Sequence, residues 1–293
     1  MDVAFNVNRL ALQGLGATLT SLLQHCSNSQ EITLWFLCSG LRDGDKSTIN
    51  TLLQSAHFEG RAEFIDFDAK AIFGHLPSLH GDWTAYGRLL IPSYINATRC
   101  LYLDADILVL LDVLAIKNFS FKGRALAAVY GCTVADSLDG QFFTNRMGWA
   151  RERPYFNSGV LLFNCQLWRE RDMDGQWTEL ASRYGQDLIS HDQTLLNALC
   201  KGMFTPLPPC FNVEWTPAMK TSPSTEGSIL HFVGSPKPWD FGGKHLHKGY
   251  DLWLTYNKQH WATTFGCITP QRLLRQWKIK DSILRTVLRK IGL

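Results

Sequence analysis

Over its first 67 residues the chain alternates short apolar runs with stretches of helical period. Met1–Val7, Ile32–Cys38 and Glu63–Phe67 read as strands; Ala11–Leu23, with Leu12, Leu15, Leu19, Leu22 and Leu23 on one face, and Thr48–Ala56 read as helices between them. This repetition confines the fold to a parallel sheet with covered faces, because parallel neighbours need a crossover long enough to hold a helix. Ligands of such sheets bind beyond the carboxyl ends of the strands. Gly14-Leu15-Gly16 sits where a dinucleotide fold would turn around a phosphate. However, Leu19 fills the slot of the third glycine, and the second strand ends in Cys38-Ser39-Gly40 with no acid for a ribose. NAD binding is not expected.

The next strand carries the chemistry. In Cys100-Leu101-Tyr102-Leu103-Asp104-Ala105-Asp106-Ile107-Leu108-Val109 two carboxylates follow a short buried run. Carboxylates there need protons, donors or a metal, and hard cations such as Mg²⁺ or Mn²⁺ take oxygen ligands. The pair points to a metal site, although Asp-x-Asp also occurs as a loop start or helix cap.

Around it the elements continue. Trp83–Tyr94 reads as a helix broken near Pro92 and carrying Arg88, which cannot shed its charge and so seeks a carboxylate or phosphate. Arg124–Tyr130 is a further strand. Residues 131–153, polar and glycine-bearing apart from Phe142-Phe143, form an excursion of the length used for lids and substrate-binding segments. Tyr155–Asn164 is a buried strand entered through a polar turn, where Asn157 offers both donors and an acceptor or serves as a plain turn residue. Asn164 caps a long helical stretch through Trp168 and Trp177. Ser190-His191-Asp192-Gln193 opens a helix ending near Leu199, with Asp192 read as its cap. Ile229–Val233 is a last strand, leading into His231-Phe232-Val233-Gly234-Ser235-Pro236-Lys237-Pro238-Trp239.

Eight cysteines are scattered without a Cys-x-x-Cys pair, several inside apolar runs, which suits a reducing compartment and argues against a zinc ribbon. No basic-then-apolar export signal opens the sequence and no apolar run is long enough to span a bilayer, so a cytoplasmic protein is expected. The net charge of +3 hides an asymmetry: residues 270–293 hold seven basic side chains against Asp281 alone, leaving the rest of the chain acidic. A linker near Thr264–Pro270 divides a domain at 1–265 from a tail at 266–293. In the tail Ile283, Leu284, Val287, Leu288 and Ile291 share a helical face, with Arg285, Arg289 and Lys290 away from its centre. Such a helix reads as a membrane-surface element, or as a helix docked on its own protein. One basic tail with Trp277 is too little for a nucleic-acid interface.

Five motifs in order, Thr84-Ala85-Tyr86-Gly87-Arg88-Leu89, Leu101 to Asp106, Tyr155-Phe156-Asn157-Ser158-Gly159-Val160, Asp192-Gln193 and His231 to Trp239, together resemble glycosyltransferase family 8. These are the retaining nucleotide-sugar transferases, and the likeness is greatest to bacterial lipopolysaccharide galactosyl- and glucosyltransferases. It covers nearly the whole chain and implies an α/β, GT-A type, Rossmann-like nucleotide-diphospho-sugar transferase fold with a mostly parallel central sheet flanked by helices. By that resemblance Asp104, Asp106 and His231 bind Mn²⁺, with Mg²⁺ as the alternative ion, across the diphosphate of a UDP-hexose. Ala105, Gly234 and Lys237 contact the donor, Arg88 meets its sugar or phosphate, and Asn8 stands at uracil. Asn157, Asp192 and Gln193 line the reacting sugar, which passes to a glycan or glycolipid acceptor such as lipopolysaccharide at the inner face of the membrane. No pair of carboxylates set for double displacement is evident, which favours attack by the acceptor hydroxyl on the face that UDP leaves. A covalent route through Asp192 or Gln193 is the alternative.

The chain also departs from the family. Relatives often carry Asp-x-Asn or a similar pair after the first strand, where this chain has Asn6, Asn8, Arg9 and Leu10; Leu10 cannot hydrogen-bond a base. Thr194 stands where relatives often have Asp, Gly131 stands where an acceptor-binding acid occurs, and His80 matches an acceptor-pocket position. Two rivals remain in view: a degenerate transferase serving as a nucleotide-sugar scaffold or sensor, and an Asp-x-Asp phosphohydrolase. The second needs a nucleophilic Asp after the first strand and usually Thr or Gly soon after the second acid, and Ile107-Leu108 supplies neither.

Overall fold

The computed structural model describes residues 1–290; Ile291, counted above in the tail's apolar face, lies outside them, as do the side chains of Arg289 and Lys290. Its strands are β1 (Asp2–Val7), β2 (Thr33–Cys38), β3 (Arg61–Asp66), β4 (Cys100–Leu103), β5 (Ile107–Val109), β6 (Leu126–Thr133), β7 (Pro154–Phe163), β8 (Thr205–Pro206), β9 (Val213–Glu214) and β10 (Ile229–His231). Seven of them form one sheet in the order β3-β2-β1-β4-β7-β6-β8, in which β7 alone runs against its neighbours. A second sheet has the order β5-β10-β9. The chain steps outward from β1 to β2 and β3, then returns to place β4 on the other side of β1. This reversal opens a crevice at the carboxyl ends of β1 and β4, where open α/β sheets bind their ligands. Asn6 and Asn8 lie at one lip, Asp104 and Asp106 at the other.

Helices of seven residues or more are α1 (Leu12–His25), α2 (Asp43–Ser55), α3 (Met173–Tyr184), α4 (Asp192–Cys200), α5 (Tyr250–Tyr256), α6 (Gln259–Phe265), α7 (Pro270–Lys278) and α8 (Lys280–Lys290). The period of two along the strands sorts the core. Val3, Phe5, Leu101 and Leu103 face the leucines of α1, while Ala4 and Tyr102 face Tyr86, Leu89, Trp168 and Leu195. The helix expected at Thr48–Ala56 begins earlier, because the Asp45 carboxylate accepts the Arg42 amide at 2.9 Å and closes the first turn. Trp83–Tyr94 is a 3₁₀ segment, Thr84–Leu90, running into a single α turn, Ile91–Tyr94. Pro92 sits in that first turn, where its missing N–H costs nothing.

The glycine pair serves packing. A β-carbon at residue 14 would lie 2.3 Å from the Ala105 carbonyl, and one at residue 16 would lie 2.4 Å from the Trp261 ring, so both glycines let α1 approach the Asp104–Asp106 turn and α6. Residues 134–153 are docked, with Phe142 and Phe143 buried against Val134, Tyr155 and Ala198. In the tail, α7 is fastened to the body: Arg275 grips Asp240 through two bonds of 2.8 and 2.9 Å, Arg272 donates to the Trp239 carbonyl at 2.9 Å, and Lys278 donates to the His80 carbonyl. Among the described residues no helix is long and apolar enough to cross a membrane.

Candidate active site

A cleft of about 450 Å³ opens at the switch point. Asn6, Asn8, Asp82, Arg88, Asp104, Ala105, Asp106 and Lys237 line it, and α7 adds Gln271, Leu274, Arg275 and Lys278. At its floor Asp104, Asp106 and His231 each present a ligand atom within 4.8 Å of the others. The first two come from the turn after β4 and the third from the end of β10, which pairs with β5 just beyond that turn. Convergence needs Gly159 on the neighbouring strand, because a β-carbon there would lie 2.2 Å from the His231 ring and 3.0 Å from Asp104.

The donor set fits a hard divalent cation. His231 Nδ1 lies 3.0 Å from Asn212 Oδ1, an acceptor only, so the ring proton sits on Nδ1 and the Nε2 lone pair faces the carboxylates. Nε2 is 3.3 Å from Asp106 Oδ1 and 3.8 Å from Asp104 Oδ2. Asp106 Oδ1 is buried without a hydrogen-bond partner. In the neutral ring this turns an acceptor toward Asp106 Oδ1, an arrangement a cation completes. Lys237 Nζ binds the other oxygen, Asp106 Oδ2, at 2.6 Å. Burial pushes the Asp106 carboxyl up, but the Lys237 ammonium outweighs it and holds the group well below the usual carboxylate range.

Arg88 ties this floor to a second cluster. Its guanidinium is buried and donates to Asp104 Oδ1 at 3.0 Å and to Ser158 Oγ at 2.8 Å, pairs with Asp192 Oδ2 at 3.0 Å, and lies over the Tyr102 ring. Burial would discharge it, yet Asp104 and Asp192 raise its affinity for the proton further still. Asp192 therefore is not the cap of α4; it is an ion-pair partner, and burial pushes its carboxyl up against the pull of Arg88. The preceding residue, His191, adopts φ of 56° and ψ of −120°, and this turn sets Asp192 and Gln193 at the helix start. Such backbone costs about 1–3 kcal/mol and collects at functional sites. Gln193 Oε1 accepts the Ser158 amide at 2.9 Å, and Asn157 Oδ1 accepts from Gly159 N at 2.8 Å and Asn212 Nδ2 at 3.2 Å. Asn212 thus links Asn157 to His231.

The sequence motifs therefore fall together, with Asn157, Asp192 and Gln193 standing behind Arg88 and Ser158 rather than on the wall of the open cleft. Asn8 has taken other work: its Oδ1 accepts the Ala11 amide at 2.8 Å and its Nδ2 donates to Asp82 at 2.7 Å. Gly234, at φ 80°, turns the chain from β10 toward Lys237, whose amide is held by Asp240 at 2.8 Å. Asn212, Asp82 and Asp240 were not singled out by sequence, and neither was the fully buried Asp139.

Comparison with known proteins bears on family and fold. Residues 2–242 match the model of the family described as Glycosyl transferase family 8. General stress protein A of Bacillus subtilis is 26% identical over 85% of this chain and 90% of its own length. Lipopolysaccharide glucosyltransferase WaaO of Escherichia coli is 26% identical over 82% of this chain and 72% of its own. Three streptococcal matches are longer proteins, of which the chain spans less than two thirds. The crystal structure of the galactosyltransferase LgtC with donor and acceptor sugar analogs superposes with a TM-score of 0.70 at 23% identity, covering 92% of this chain and 98% of that one. That likeness establishes the GT-A type fold.

Proposed function

The chain belongs to glycosyltransferase family 8, and from that premise we propose that it is a metal-dependent, retaining hexosyltransferase moving galactose or glucose from a UDP-sugar to a glycan or glycolipid such as lipopolysaccharide. The observation that carries this reading is the meeting of Asp104, Asp106 and His231 beside Lys237, with Asp106 Oδ1 unpaired toward the His231 lone pair. These three residues would hold Mn²⁺ or Mg²⁺. A bound divalent cation supplies Lewis acidity and charge neutralisation at a diphosphate.

The remaining chemistry belongs to the chain's own residues. Lys237 sits where it can pass from Asp106 to a donor phosphate as a point charge. Arg88, locked between Asp104 and Asp192, keeps the phosphate end and the sugar end of the site in fixed relation. Asp192 Oδ2 is occupied by Arg88 and Ser158, which suits a group orienting sugar hydroxyls better than a free nucleophile. The acceptor hydroxyl then enters on the face that UDP leaves, and a β-phosphate oxygen takes its proton. Ala105 lines the cleft beside the donor, Gly234 turns the chain that carries Lys237 to it, and Asn8 shapes the base end while fastened to Asp82.

We place the protein in the cytoplasm at the inner membrane face, with 1–265 as catalytic domain and 266–293 as the membrane-facing tail. The exposed Ile268, Leu273, Trp277 and Leu284 among basic neighbours support this. A glycolipid acceptor accords with the likeness to WaaO. The test is UDP release from purified protein given UDP-galactose and then UDP-glucose, with Mn²⁺ and with chelator. Release from one donor that stops with chelator is expected. Absence of release from both, together with no binding of UDP in the presence of Mn²⁺, overturns the reading.

A further inference from the structure

Behind the cleft lies a carboxylate without a charged partner. Asp139 is fully buried in the segment between β6 and β7 and accepts from the Tyr155 hydroxyl, the Ser190 amide at 3.1 Å and the Thr194 hydroxyl at 2.9 Å. All three donors are neutral. A buried carboxylate satisfied this way is costly to keep, which calls for a reason.

The reason is found by following the protons. Tyr155 has one hydroxyl proton, and an ionised carboxylate can only accept, so that proton goes to Asp139. The Tyr155 oxygen is then left to accept, and it does so from Gln193 Nε2 at 2.9 Å, with the Ser190 hydroxyl also beside it. At the far end of the same amide, the Ser158 N–H can only donate, so it takes Gln193 Oε1 at 2.9 Å. Both ends select one orientation, and turning the amide over would lose a bond at each. Burial first, then the charge of Asp139, push the Tyr155 phenol well above its ordinary value, which keeps the relay's proton in place. Thr194, standing where relatives have an acid, completes the cluster by donating to Asp139.

We propose that Asp139 is a positioning residue for sugar transfer: through Tyr155 it fixes the polarity of the Gln193 amide, so that the donor sugar meets that amide in a single orientation. The proposal rests on Gln193 lining the reacting sugar. It differs from a purely structural role in a way that can be measured. Asp139→Asn keeps the shape but lets the new amide donate to the Tyr155 oxygen, which turns the phenol proton toward Gln193 and sets the Tyr155 end of its amide against the Ser158 end, so that the single orientation is lost.

The test is a double-mutant cycle of Asp139→Asn and Tyr155→Phe, with kcat and KM measured on whichever UDP-hexose the protein turns over. Each single variant is expected to lower kcat by about 10- to 100-fold, in line with the cost of a misplaced group, with KM changed less than about 2-fold. Because Asp139 acts only through Tyr155, the double variant is expected to be no slower than the slower single. Losses that multiply, or an unchanged kcat in Asp139→Asn, overturn the relay. Should Asp139→Asn fail to fold, Tyr155→Phe decides, since an unchanged kcat there removes the link. Gln193→Ala separates the two levels. If it keeps wild-type kcat, the assignment of Gln193 to the sugar fails and the relay with it; if it is slow while Asp139→Asn is not, only the relay fails.

Discussion

The two ends of the proposed site, one assigned above to a metal and the other to the donor sugar, are built on opposite plans. At the metal end, charged groups converge and one oxygen, Asp106 Oδ1, is left buried without a hydrogen bond. At the sugar end the groups on α4 are satisfied: Gln193 is held at both ends of its amide, and Asn197 exchanges bonds of 3.0 Å with both backbone groups of Phe156 while donating at 2.9 Å to the Gln193 carbonyl. A buried polar atom without a partner is rare enough to need a cause. Incompleteness marks the place where something from outside is to be bound, and completeness marks the place where orientation has been fixed in advance. Arg88, bonded to Asp104 and to Asp192, is the hinge between the two plans.

The largest effect should come from the incomplete end. Asp106→Ala removes a ligand atom and the partner of Lys237, and transfer should fall by about 10³-fold or more with the circular dichroism spectrum unchanged. Turnover near wild type with metal present would break the contrast outright. Next comes Asn212→Ala, which frees His231 to change tautomer without touching the ligands. Loss of such an outer partner typically costs about 10- to 100-fold in metal affinity. The metal concentration for half-maximal activity should rise by that factor while the rate at saturating metal stays close to wild type. A lowered saturating rate would mean that Asn212 acts mainly on Asn157 and the sugar, blurring the two ends into one.

A smaller effect is expected where the tail meets the metal end. Arg275 holds Asp240, which in turn holds the amide of Lys237. Arg275→Ala removes a two-bond contact worth about 1 kcal/mol. KM for the UDP-sugar should rise by roughly 5-fold with kcat little changed, since Lys237 is loosened and the α4 cluster is not. A fall in kcat alone would place the tail's influence at the sugar end.

How much of this was legible in advance follows the range of the interactions. The strands, α1 and the Asp104–Asp106 turn could be read because period and burial are local properties of the sequence, and the site motifs could be read because each keeps its residues within a few positions. Asn212 and Asp139 could not. Asn212 reaches His231 across 19 residues, and Asp139 reaches Thr194 across 55, so nothing in their neighbourhoods announces them. The polar, glycine-bearing run around Asp139 read as a lid, and only the buried Phe142 and Phe143 within it carried a signal that it docks. Asp192 read as a helix cap for a similar reason: its true partner, Arg88, is brought to it by the sheet. Asn8 lines the cleft, but its amide is already engaged by Asp82 and Ala11.

The smallest effect is also the one that separates the ends most directly, because their carboxyls shift in opposite directions. Asp106 is depressed in the folded protein, so the stability it contributes is fully present above the unfolded carboxylate value near pH 4 and is lost as pH falls below it toward the folded value. Asp192 is raised, so the folded protein takes up that proton first, and its penalty on stability is relieved as pH falls through the raised folded value toward pH 4. In metal-free protein, Asp106→Asn should therefore flatten the acid-side decline in the thermal midpoint below about pH 4. Asp192→Asn should steepen the decline just above pH 4 by removing that relief. Each change is read as a difference in the slope of thermal midpoint against pH between variant and wild type. Parallel shifts in the two variants would show that the carboxyls answer to one shared field through Arg88, and the division into an incomplete and a finished end would then describe hydrogen bonding alone and not charge.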